Sequence, residues 1–142
     1  MRIAKARVLV VEDNDDSRRM IEDLLLSAGF EVLTAVNGAE ALRHLHHDVP
    51  DAMVLDLMLP WVNGVEVLAT MREQPALARV PVLITTGTAT SQSDLGAFQP
   101  VAVLRKPLAI DTIVPTLENL LGKRVTLEGE EYHLPDSQLK PD

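Results

Sequence analysis

Four of the uninterrupted apolar runs in this chain read as strands: Val8-Leu9-Val10-Val11, Ala52-Met53-Val54-Leu55, Pro81-Val82-Leu83-Ile84 and Val101-Ala102-Val103-Leu104. A strand with one face in water alternates polar and apolar residues. A strand without alternation must be covered on both faces, as in a parallel sheet held between helix layers. The intervals between these runs agree. Met20, Ile21, Leu24, Leu25 and Ala28 recur at three- and four-residue steps, which predicts a helix over residues 15–28 with Gly29 as its C-terminal glycine. Asn37 with Glu40 three residues on marks a second helix start, running to about His47. A third helix is expected after Gly64, through about Glu73 and stopped by Pro75. Glu31 to Val36 reads as a more polar strand at a sheet edge, and Pro81 to Thr86 as the fourth strand.

Residues 88–100 carry weaker signals. Ser91, Ser93, Asp94 and Gly96 are poor helix-interior residues, and only Leu95, Ala97 and Phe98 offer an apolar face, so a short or irregular helix is expected. The last helix should begin near Asp111 or Thr112, take Pro115 in its first turn, turn Ile113, Leu117, Leu120 and Leu121 inward, and end at Gly122. Beyond it, residues 123–142 form a tail. Val125-Thr126-Leu127 and Tyr132-His133-Leu134 could pair as a small hairpin around Glu128-Gly129-Glu130-Glu131, with disorder as the alternative. Five strands alternating with five helices define an α/β fold: a doubly wound five-stranded parallel sheet with helices on both faces. The expected organisation is one domain over residues 1–122 and a C-terminal tail over 123–142.

Composition narrows the functional classes. Hydrophobic residues make up 46% of the 142, but aromatics only 3%, so the core must be aliphatic. A net charge of −8 argues against nucleic acid as a partner. No cysteine is present, which excludes disulfides and thiolate chemistry. The basic start, Met1 to Arg7, lacks the apolar core of a signal peptide, and no apolar run approaches the roughly 20 residues of a membrane span. The expectation is a cytoplasmic protein without membrane attachment.

Function is written at the strand ends. In open α/β sheets, ligands bind outside the carboxyl ends of the strands. Glu12 and Asp13 follow the first strand, Asp56 ends the third, Thr86 ends the fourth and Lys106 follows the fifth. Carboxylates gathered at one rim repel unless a hard divalent cation sits among them, and Mg²⁺ favours one or two carboxylates, waters and phosphate oxygens. Lys106 could hold a phosphoryl oxygen, and the Thr86 hydroxyl could donate to another. Together these residues describe a site in which Asp56 attacks phosphorus and becomes an acyl phosphate.

The combination of Glu12-Asp13, Asp56 followed by Pro60 and Gly64, Thr86, and Lys106-Pro107 resembles the response-regulator receiver domain of two-component signalling, over about residues 6–121. The resemblance implies a flavodoxin-like sheet of order 2-1-3-4-5. It implies that Asp56 is the phosphorylation site, that Asp13 and Asp56 bind Mg²⁺ directly, and that Glu12 acts through water and Met58 through its backbone carbonyl. Thr86 and Lys106 would sense the phosphoryl group, and the Lys106-Pro107 bond would be cis. The implied partners are a histidine kinase or histidine phosphotransfer protein upstream and an unknown protein downstream, with homodimer formation left open.

The chain departs from the family pattern at the switch. Val103 stands where the family usually has an aromatic, and Gly87 where a small Ala is common. Signalling is therefore expected to take another route than the usual output face, or to switch only partly. An apolar Met58 cannot orient attacking water, which implies slow autodephosphorylation. Trp61 reads as a loop residue, with a lid or partner contact as the alternative, and His44 and His47 as a solvated helix end. A haloacid-dehalogenase-type phosphatase would need a second acid where Met58 stands. A flavodoxin-like electron carrier would need aromatics to stack the flavin. The runner-up is a phosphorylation-independent interaction module on the same scaffold.

Overall fold

The computed structural model describes residues 6–88 and 93–128. Five strands, β1 (Arg7–Val11), β2 (Glu31–Ala35), β3 (Ala52–Asp56), β4 (Val82–Thr86) and β5 (Val101–Arg105), form one sheet of order β2-β1-β3-β4-β5. Every neighbouring pair is parallel. The helices are α1 (Asp15–Ser27), α2 (Gly38–His47), α3 (Gly64–Arg72) and α4 (Ile110–Glu128), with a 3-10 helix over Ser93–Phe98. Both fold class and strand order are those expected.

Alternation along the strands splits the core into two layers. Leu9, Val11, Met53, Leu55, Val82 and Ile84 pack against Ala41 and Leu45 of α2 and Val67, Leu68 and Met71 of α3. Val8, Val10, Ala52, Val54 and Leu83 face the other way, onto Ile21 and Leu25 of α1 and Ile113, Leu117 and Leu120 of α4. Only β2, at the edge, keeps exposed residues at alternate positions. Three helices start on asparagine caps: Asn14, Asn37 and Asn63 each accept from a backbone N–H in the first turn. These caps supply partners to otherwise orphaned amides and fix where the chain leaves the strand tips.

Within residues 88–100, the described stretch Ser93–Phe98 is as irregular as its residues suggest, a 3-10 helix with a kink at Leu95. Arg72 ties this segment to α3 by donating to the carbonyls of Phe98 (2.8 Å), Leu77 (3.2 Å) and Pro100 (3.1 Å).

The last helix differs from expectation in three respects. It starts at Ile110, which moves Pro115 out of the first turn. It does not end at Gly122: that residue is helix interior, since a glycine costs a helix only about 1 kcal/mol and the helix continues through Glu128. Val125-Thr126-Leu127 therefore lie in α4 and not in a hairpin strand, while Tyr132-His133-Leu134 fall outside the described residues.

Candidate functional site

Register decides which side chains meet. Val11 pairs with Leu55, Asp56 with Thr85, and Thr86 with Arg105, so β1, β3, β4 and β5 end nearly level. The side chains at or just past the ends of β1, β3 and β5 meet in one crevice. Asp56 is 3% exposed; its Oδ1 accepts from the Met58 N–H (2.9 Å) and its Oδ2 from Lys106 Nζ (3.0 Å). Glu12, 1% exposed, accepts from the same Nζ at Oε1 (3.1 Å) and from the Asn14 N–H at Oε2 (3.1 Å). Asp13 is exposed, and carboxylate oxygens of Glu12, Asp13 and Asp56 lie within 4.8 Å of one another. Two strand tips thus supply three acids, and a third supplies the amine between two of them.

The electrostatics follow from burial. Desolvation pushes the Glu12 carboxyl above its usual range, helped by the charge of Asp56 and opposed by the Asn14 N–H and Lys106. For Lys106 burial acts against the charge, but hydrogen bonds and attraction from Asp56 and Glu12 outweigh it and hold the ammonium above its usual pKa. An acidic pocket with one resident cation can hold a second, provided it is small and oxygen-seeking.

Backbone geometry fixes the crevice wall. The loop from Leu57 to Gly64 is closed by the Gly64 N–H donating to the Leu57 carbonyl (3.0 Å). Gly64 lies so close to β3 that a Cβ there would stand 2.5 Å from the Asp56 carbonyl oxygen. At the loop tip Trp61 has φ +62° and is 84% exposed, so it is a surface loop residue without a packing role. Met58 is 64% exposed, and the contact it makes with Asp56 runs through its backbone N–H. The Lys106-Pro107 bond is cis, as the resemblance implies; a second cis bond, Gln99-Pro100, carries no sequence signal.

Thr86 is buried beside this crevice. Its carbonyl accepts from the Lys106 N–H (2.7 Å), which ties β4 to β5 at the lysine. Its hydroxyl lies 3.0 Å from the Thr88 hydroxyl and accepts from the Thr88 N–H (3.1 Å). Glu12, Asp13, Asp56 and Lys106 are therefore brought together, whereas the hydrogen bonds of the Thr86 hydroxyl run to Thr88.

Arg18 escaped sequence reasoning. From the second turn of α1 it donates to the Glu12 carbonyl (3.1 Å) and pairs with Asp15 (2.6 Å), bracing the acidic turn. An Arg among surface charges gives no signal of such a role. His44 and His47 stand apart from the acids; the His47 ring nitrogen contacts the Arg43 carbonyl (2.9 Å). A cavity of about 430 Å³ near them, lined by Leu45, His46, His47, Asp48, Val49, Gln74, Ala76 and Leu77, lies away from the acidic crevice.

Residues 8–118 match the response regulator receiver domain family, and the chain belongs to it. It is 30% identical over 117 residues to the polar-differentiation response regulator DivK of Brucella anthropi, covering 81% of this chain and 95% of that protein. It is 36% identical over 124 residues to the transcriptional regulatory protein PrrA of Mycobacterium tuberculosis, covering 86% of this chain but only 52% of PrrA, about half its length. The receiver domain of the sensor histidine kinase PA1611 from Pseudomonas aeruginosa PAO1, whose structure has a magnesium ion coordinated in its active site cleft, superposes with a TM-score of 0.75. It shares 29% identity, over 84% of this chain and 99% of that one.

Proposed function

We propose that this receiver domain accepts a phosphoryl group on Asp56, from a histidine kinase or a histidine phosphotransfer protein, and passes the signal on by protein–protein contact. The carrying observation is the Asp56 carboxylate, nearly buried at a strand end, with the Lys106 ammonium 3.0 Å away and the acids of Glu12 and Asp13 beside it. An Asp56 oxygen forms the new O–P bond as the N–P bond of phosphohistidine breaks, and the electron pair returns to the imidazole. The Lys106 ammonium holds a phosphoryl oxygen, and the Thr86 hydroxyl donates to another. Glu12, Asp13, Asp56 and the Met58 carbonyl would hold Mg²⁺, a role that suits three crowded acids. When bound, Mg²⁺ neutralises charge developing on the phosphoryl oxygens.

Acetyl phosphate with Mg²⁺ should add one phosphoryl group to the wild type and none to Asp56→Asn, read by intact mass. Trp61, the only tryptophan, should report Mg²⁺ and then beryllofluoride in fluorescence titrations. Absence of both responses would return the protein to a phosphorylation-independent interaction module.

The Met58 side chain reaches into solvent and has no group to orient water. The acyl phosphate should therefore be long-lived; a phosphate-release time course in purified protein checks this, and loss within seconds would refute it. Among the described residues no helix is long and apolar enough to cross a membrane, in keeping with a cytoplasmic site of action.

A further inference from the structure

One helix touches both the candidate phosphorylation site and the segment before β5. At its start, α3 lies hard against the end of β3. The Gly64 N–H donates to the Leu57 carbonyl at 3.0 Å, and a Cβ at Gly64 would stand 2.5 Å from the Asp56 carbonyl oxygen and 2.6 Å from the Leu57 Cα. Main chain packed that closely transmits a displacement of residues 56–58 to the helix. The helix is nine residues long, roughly 13 Å at about 1.5 Å per residue, and buries Val67, Leu68 and Met71. At its far end stands Arg72. The guanidinium donates through Nε to the Phe98 carbonyl (2.8 Å), through Nη2 to Pro100 (3.1 Å) and through Nη1 to Leu77 (3.2 Å). Burial pushes its pKa below the usual value, and the three carbonyl dipoles offset the lost hydration of the charge. Leu95 and Phe98 of the 3-10 helix pack in the same core layer as Val67, Leu68 and Met71. To that packing the planar fork of Arg72 adds directional bonds that fix three carbonyls at once.

We infer that α3 relays the state of Asp56 to the 3-10 helix, with Arg72 as the positioning residue that makes residues 98–100 follow. This inference rests on the proposed phosphorylation of Asp56. In that reading a phosphoryl group and Mg²⁺ load Asp56 and the Met58 carbonyl, the two residues that flank Leu57. A shift of the Leu57 main chain moves Gly64, the buried face of α3 moves with it, and Arg72 passes the motion to the Phe98 and Pro100 carbonyls. The Pro100 carbonyl also accepts from the Val82 N–H (3.1 Å), so the same contact meets the start of the β4–β5 pairing. The surface that reports phosphorylation is then the 3-10 helix together with the C-terminal end of α3.

The test is hydrogen exchange read by mass spectrometry on the full chain, in Mg²⁺ with and without beryllofluoride. In wild type, beryllofluoride should change exchange in peptides over 64–72 and over 93–101 by roughly 5-fold or more, the lower end of typical coupling. Arg72→Met keeps a long stem and deletes the donors. Without beryllofluoride it should speed exchange over 93–101. It should also lose the beryllofluoride response there while keeping it over 64–72, a split that a merely structural role for Arg72 would not produce. Arg72→Lys keeps the charge but cannot span three carbonyls; it should give the same split, and it carries the test alone should Arg72→Met fail to fold. A full wild-type response over 93–101 in either folded variant would overturn the relay. So would a wild type that binds beryllofluoride and stays silent over 93–101, or one that responds there with residues 64–72 silent. Failure of the wild type to bind beryllofluoride, read by calorimetry, would instead remove the phosphorylation reading, and the relay with it.

Discussion

Lys106 is the residue that makes the resting site tolerable. Two nearly buried carboxylates, Glu12 and Asp56, share its ammonium, and without it their like charges would face each other unpaired. Its raised pKa means that its stabilising contribution is complete below 10.5, the ordinary value, and is lost only as pH rises above that, so it holds across the neutral range. Glu12 is the opposite case in its effect near neutrality. Its pKa is also raised, so its favourable contribution is complete below 4.5 and is lost as pH rises through the folded value. Without metal, the wild type should lose stability relative to Glu12→Gln between about pH 4.5 and 7, and Mg²⁺ should narrow the gap at neutral pH. Denaturant unfolding of both proteins at the two pH values checks this. The neighbouring threonines show how differently adjacent residues are used: Thr86 is hydrogen-bonded at the crevice, while the buried Thr85 hydroxyl has no partner among the described residues.

At the scale of elements, the third helix and the strand that ends in Asp56 are coupled through one missing side chain. Gly64 opens α3 directly on the backbone of Asp56 and Leu57, and a Cβ would stand 2.5 and 2.6 Å from their atoms. Both obstacles are main chain, so α3 or the end of β3 would have to move. Gly64→Ala should cost about 1–3 kcal/mol of stability, as overpacking does. It should also slow phosphorylation by acetyl phosphate by roughly 10- to 100-fold, because a small misplacement of a reacting group is expensive. Unfolding curves and initial phosphorylation rates measure the two effects separately; wild-type values for both would refute the coupling.

At the scale of the whole molecule, the chain carries a net charge of −8, and three acids converge on one crevice. A cation bound there favours the folded state by mass action, by about 2.7 kcal/mol at 100 times its dissociation constant. Mg²⁺ should thus raise the unfolding midpoint of wild type, and Asp13→Asn should lose most of that gain. How far the domain switches is a second question of magnitude. Inverting an equilibrium from 1:99 to 99:1 takes about 5.5 kcal/mol, while hydrogen bonds to charged groups contribute about 1.5–3 kcal/mol each. New contacts by Thr86 and Lys106 therefore reach a full switch without margin, and Val103 adds no aromatic to assist. Partial switching is expected; a beryllofluoride complex with the loop after β4 and the 3-10 segment fully repositioned would contradict it.

Much was legible in the residues themselves because it depends on local rules. Uninterrupted apolar runs mark strands covered on both faces, asparagines mark helix starts, and an acid ending such a run marks a strand tip; β3 was bounded correctly on that basis. The weak composition of residues 88–100 likewise foretold a helix that is not regular. Gly122 shows the limit, since a glycine is only a weak veto on a helix, and the helix-compatible residues after it carry α4 onward. The acids' common rim could be reasoned from topology, but the distances could not. That one ammonium bridges Glu12 and Asp56, that Arg18 braces the acidic turn, and that the Thr86 hydroxyl is held by Thr88 are decided by strand register and burial. These are relations between side chains remote in sequence or set by solvent exclusion, and they come into being only when the sheet closes around them.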